Sequence, residues 1–76
     1  MIHYKLNEQT CFDRINGQYV SYGITVYRGS RIIRVIEDIS TDRAAVTALT
    51  DRYNAEQLSP AHLDEAVESF LYDFEV

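Results

Sequence analysis

Apolar and polar residues alternate along the first half of the chain, then give way to a period near 3.6. From Val20 onward, Val20, Tyr22, Ile24 and Val26 fall on one parity, and Ser21, Gly23, Thr25 and Tyr27 on the other. This is the two-residue period of a strand. Gly29-Ser30 reads as a two-residue turn of the Gly-X kind, which suits type II′. Closing a hairpin there sets a register in which Arg28 opposes Arg31, Val26 opposes Ile33, Ile24 opposes Val35 and Val20 opposes Ile39. One face then collects Val20, Tyr22, Ile24, Val26, Ile33, Val35 and Ile39 and is the face expected to be buried. The other collects Ser21, Gly23, Thr25, Tyr27, Ile32, Arg34, Ile36 and Asp38, a mixed set.

Upstream, Asn16-Gly17 is the strongest short hairpin signal in the chain. It joins a strand around Thr10–Arg14 to one beginning near Gln18. Ile2, Tyr4 and Leu6 alternate with His3 and Lys5 before the alternation loses phase across Asn7–Thr10, which reads as a bulge or short loop. Residues 1–39 therefore predict a three- or four-stranded antiparallel meander.

Helical periodicity begins at Ser40, a good N-cap, with Asp42 in the first turn. Ala45, Val46, Leu49 and Tyr53 make an apolar stripe, and Asn54 is a left-handed stop. Ser59 and Pro60 mark a second start. Leu58 is placed to staple onto Leu63, and the stripe continues through Val67, Phe70, Leu71 and Phe74. The reading is one α+β domain over 1–76: an antiparallel meander followed by an α-helical hairpin (about 41–54 and 60–74) packed on one sheet face.

Charge follows the same division. Lys5, Arg14, Arg28, Arg31 and Arg34 stand against Glu8, Asp13, Glu37 and Asp38, a net +1, whereas the residues from Ser40 onward carry −6 of the total −5. An anionic chain is a poor general ligand for DNA or anionic membrane. The opening MIHYKLNEQT holds no apolar run long enough for a signal peptide, and no stretch is long enough to span a bilayer, so a cytoplasmic location is expected. Cys11 is the only cysteine, which rules out an internal disulfide. In so small a domain, self-association is an available route to further stability.

No set of residues assembles acid, base and oxyanion donors, so no catalytic residue, cofactor site or metal site is assigned. His62 and Glu65 lie three apart and offer two metal ligands on one helix face, but nothing specifies a third. Cys11 lacks a base and a cationic neighbourhood and reads as a half-buried strand residue. Arg28, Arg31 and Arg34 with Tyr27 and Tyr19 outline a basic aromatic surface of the kind that stacks single-stranded nucleic acid. Against this stand the solvated turn arginines and the anionic whole. The same sheet face, with Phe12, Tyr19, Tyr27, Ile32, Arg34 and Ile36, suits a protein contact.

The strings Tyr22-Gly23-Ile24, Asp38-Ile39-Ser40-Thr41-Asp42, Asn54, Leu58-Ser59-Pro60-Ala61-His62-Leu63 and Glu68-Ser69-Phe70-Leu71 together resemble a family of short proteins of Gram-positive Firmicutes, a domain of unknown function. The resemblance implies a bacterial cytoplasmic protein and supplies no catalytic residues. The leading expectation is a non-enzymatic interaction or regulatory module, self-associating as a homodimer through the open sheet face, with no cofactor. The alternatives are a small single-stranded nucleic-acid binder, and an enzyme or metal protein centred on His62 and Glu65.

Overall fold

The computed structural model describes residues 1–74, with side-chain surroundings through residue 72. Three strands, β1 (Ile2–Asp13), β2 (Gly17–Arg28) and β3 (Arg31–Ser40), form an open antiparallel sheet in the order β1-β2-β3. Two helices follow, α1 (Arg43–Glu56) and α2 (Leu63–Phe74), the second entered through a short 3₁₀ turn, Pro60–His62. The fold is α+β, with the helices packed on one sheet face.

β1 is one continuous strand, paired without interruption from Ile2↔Arg28 to Asp13↔Gly17. The phase loss read across Asn7–Thr10 is not a break. Those positions hold polar residues, and Asn7 and Gln9 hydrogen-bond across the sheet. The loop to β2 is Arg14–Asn16, pinned by the Asp13 carboxylate, which accepts from the Ile15 N–H at 2.8 Å. Gly17 follows at φ 73°, the left-handed position a three-residue hairpin loop requires. At the second hairpin only Gly29 of the turn pair has positive φ, as type II′ demands.

The register of β3 differs from the regular one after its first two pairs. Arg28↔Arg31 and Tyr27↔Ile32 hold, but Val26 meets Arg34, Ile24 meets Ile36 and Tyr22 meets Ser40. Ile33 is an extra residue. Farther along, Gly23 alone spans the stretch of β2 that faces Glu37, Asp38 and Ile39. Each bulge shifts the side-chain phase of the strand that carries it. The first turns Arg34 and Ile36 to the helical side and Val35 to the other; the second returns Ile39 to the core. The expected burial of Ile33 and Val35 is thus corrected: they are 37% and 49% exposed. Val20 and Leu71, also expected inside, are about two-fifths exposed. Val20 pairs with Thr10 beyond the end of β3.

The core lies between the sheet and the helices. Tyr4, Ile24, Val26 and Ile39 from the strands meet Val46, Leu49 and Tyr53 from α1 and Leu63 and Val67 from α2. Phe70 and Leu58 pack partly against this cluster. Each large side chain buried contributes roughly 1.5–3 kcal/mol before entropy is subtracted. Tyr4 is the joint between layers. Its ring meets Tyr53 edge to face, centroids 5.6 Å apart, and its hydroxyl donates to the Leu58 carbonyl at 2.6 Å. Burial raises its phenol pKa.

Two helix signals act one step away from where the sequence suggests. The N-cap of α1 is Asp42, not Ser40: the Asp42 side chain accepts from the Ala45 N–H at 3.2 Å, while Ser40 Oγ accepts from the Asp42 N–H. Asn54 does not end the helix; Gln57 does, at φ 53°. Replacing Asp42 by alanine should lower stability by about 1 kcal/mol, the usual worth of a cap. A urea midpoint unchanged by Asp42→Ala would show that Ser40 or solvent takes over the role.

Candidate protein-contact surface

Alternation along β1 and β2 determines which side chains stand on the helix-free face: His3, Lys5, Asn7, Gln9 and Cys11 from β1, and Tyr19, Ser21, Gly23, Thr25 and Tyr27 from β2. The first bulge adds Val35, opposite Thr25, to Ile32, opposite Tyr27. The face has two zones with different chemistry.

The first zone is apolar. Ile32 is 55% exposed, Val35 is 49% exposed, and Tyr27 is half-buried beside them. His3 pairs with Tyr27, and Lys5 with Thr25, along the adjoining strand. The patch sits at the turn end of the β2–β3 hairpin, rimmed by polar and cationic side chains.

The second zone is polar and closed. Here β3 rides over Gly23: a Cβ at that position would lie 2.0 Å from the Ile36 carbonyl oxygen and 3.0 Å from Glu37 Cα. Asp38 takes a left-handed conformation, φ 55°, which an Asx residue tolerates better than most. Its backbone N–H donates to Gln9 Oε1 at 3.1 Å, and its carboxylate accepts from the fully buried Ser21 hydroxyl. Asn7 Nδ2 donates to Thr25 Oγ1 at 3.0 Å, and the Gln9 amide donates to Asn7 Oδ1. Tyr19 stands near this zone; the Asp38 carboxylate, with weaker help from desolvation and Cys11, raises its phenol pKa. Ser21 and Asp38 brace the bulge through these bonds, with the Ser21 hydroxyl also within 3.2 Å of the Ser40 carbonyl.

The residues expected to form one contact surface are divided by the sheet. Tyr19, Tyr27 and Ile32 share the helix-free face. Arg34 and Ile36 do not: Ile36 packs against the core, and the Arg34 guanidinium makes a two-pronged ion pair with Asp64 of α2, one arm at 3.0 Å. That pairing raises the Arg34 pKa. Both groups are substantially solvated, so the pair orients α2 on β3 more than it stabilises the fold. Phe12, 79% exposed, has the parity of Tyr4 and Leu6 and lies on the two-stranded arm beyond β3. Sequence reasoning missed Val35, because a bulge has no signature in the alternation it interrupts.

The same register separates the arginines from the tyrosines. Arg28, Arg31 and Arg34 share the parity of Val26, while Tyr19 and Tyr27 have the opposite one. A platform that stacks bases on tyrosine and pairs phosphates with arginine needs both on one side. Nδ1 of His62 lies 3.8 Å from Glu65, but both side chains are mostly exposed, and among the described residues no third metal-ligating group joins them. Cys11 is half-buried and unbridged. No helix among the described residues is long and apolar enough to cross a membrane.

These features define a small α+β domain with a three-stranded meander, an α-helical hairpin on one face and a bulge-buttressed free face. The chain belongs to a family of unknown function (DUF6514), whose model matches residues 1–73. No curated protein and no solved structure matches it significantly.

Proposed function

We propose that this protein is a non-enzymatic interaction or regulatory module that pairs with a second copy of itself through the helix-free sheet face. The observation that carries the reading is the pair of exposed apolar side chains Ile32 and Val35, which flank the Ile33 bulge on the helix-free face beside half-buried Tyr27. An apolar centre with a polar rim is the usual anatomy of a protein contact. Charge favours this orientation. The helical half carries −6 and the strand half +1, so pairing through the sheets holds the acidic helices apart. A two-fold contact of one patch with its own copy closes on itself and leaves no surface for further growth. The expected setting is the cytoplasm of a Gram-positive bacterium, as the family resemblance implies.

Sedimentation velocity over a concentration series tests this reading. The native chain should pass from monomer to dimer as concentration rises, and Ile32→Glu with Val35→Glu should hold it monomeric with an unchanged circular dichroism spectrum. A native chain that stays monomeric at the highest concentrations would reject self-association and leave a different protein as the partner.

A further inference from the structure

The helices leave a groove between them on the side away from the free sheet face. Its volume is about 380 Å³, and its walls include Leu49, Leu58, Ala66 and Phe70. This lies in the range of small-molecule sites. Tyr53 also lines it and is 4% exposed. Its hydroxyl is buried, and among the described residues nothing accepts or donates a hydrogen bond to it. Tyr4, whose ring touches Tyr53, cannot serve it as donor, because the Tyr4 hydroxyl proton is directed to the Leu58 carbonyl. A buried hydroxyl without a partner is costly and uncommon in a small core.

We infer that this groove is a binding site for an uncharged amphipathic small molecule. The apolar body of the ligand lies between Leu49, Leu58 and Phe70, and an oxygen acceptor takes the Tyr53 O–H. Burial raises the phenol pKa, so the group is a donor throughout the neutral range. The hydroxyl has almost no accessible surface, so binding requires a neighbouring side chain to change rotamer, as is common at binding sites. The rim selects against charge. Arg52 is already engaged by Glu56, Nε to carboxylate 3.4 Å, and the surrounding helices are strongly acidic, which disfavours an anion. Glu56 also lines the groove, but its carboxylate is paired with Arg52, so the two rim charges offset each other and favour neither an anion nor a cation. The inference is independent of dimer formation, which uses the opposite face of the sheet.

Acetophenone, an aromatic body with one carbonyl acceptor, is a suitable probe. Titrated into ¹⁵N-labelled protein, it should produce saturable amide shifts confined to the facing segments of α1 and α2. Tyr53→Phe keeps the ring and its contact with Tyr4 but removes the donor, and should weaken binding about fivefold, the worth of one net hydrogen bond. Ala66→Leu narrows the groove and should abolish the shifts. Shifts that are absent up to the solubility limit, or scattered over the sheet, would overturn the inference. So would equal affinity for the native protein and Tyr53→Phe.

Discussion

Gly23→Ala should be among the most damaging single changes in this chain, costing about 3 kcal/mol and taking a large share of its stability. The added methyl would sit 2.0 Å from the Ile36 carbonyl oxygen, 2.8 Å from Asn7 Oδ1 and 3.0 Å from Glu37 Cα. The first and last are backbone atoms of β3, so they cannot swing aside as a flexible side chain would. Overpacking in a fixed frame typically costs 1–3 kcal/mol, occasionally more. The shift it forces would also loosen the Ser21–Asp38 and Asn7–Thr25 hydrogen bonds that brace the bulge. Gly17→Ala is the informative comparison. Nothing lies within 4 Å of its would-be Cβ, and its cost is only the left-handed backbone, about 1 kcal/mol. Urea denaturation of the two variants should therefore separate widely. Equal midpoints would mean that β3 does not lie on Gly23.

The second large effect concerns Asn54. Its amide oxygen accepts from the Tyr4 N–H at 2.7 Å, and its amide nitrogen donates to the Tyr4 carbonyl at 2.8 Å. The side chain thus acts as a one-residue strand partner on the outer edge of β1, which has β2 on its other side. Exposed edges invite pairing with other chains, and native proteins cover or interrupt them. Asn54→Ala removes both bonds and leaves two backbone groups without partners, an expected loss of roughly 2–4 kcal/mol. It should also produce concentration-dependent light scattering as the β1 edge opens. Asn54→Asp keeps the acceptor for the Tyr4 N–H but sets a carboxylate oxygen against the Tyr4 carbonyl. That repulsion raises the folded-state pKa of the new carboxyl above its unfolded value. The variant should therefore regain stability at acid pH and lose it as pH rises through the raised pKa. A loss below 1 kcal/mol in Asn54→Ala would reduce the clamp to a surface contact.

With these two positions explained, the strings that resemble the family acquire a spatial meaning. Tyr22-Gly23-Ile24 and Asp38–Asp42 meet where Gly23 lies beneath β3, Ser40 pairs with Tyr22, and Asp42 caps α1. Asn54 and Leu58 meet at Tyr4 through its backbone and its hydroxyl. These are the places where the sheet changes phase and where the helices are tied to its edge.

The element order, both hairpins, the two helices and the buried parity of β2 were legible because each rests on local rules. Gly-Ser and Asn-Gly demand turns, period 2 and period 3.6 differ within a few residues, and Ser-Pro opens a helical turn. The candidate contact surface was only half legible. Tyr27 and Ile32 lie next to the turn, where register cannot slip. Arg34, Ile36 and Val35 lie beyond the Ile33 bulge, where one added residue exchanges the faces. Nothing local distinguishes IIRVI as a bulged strand from IIRVI as a regular one.

What the amino-acid sequence alone determined is the inventory of elements and the acidic helical half, because turns, caps, periodicity and charge act between near neighbours. What only the tertiary structure decided is which face of β3 meets the helices, that Asn54 guards an edge fifty residues away rather than ending its helix, and that Tyr53 keeps a buried hydroxyl without a partner among the described residues. Each of these depends on atoms brought together by the packing of helices on the sheet. No short-range preference carries that information.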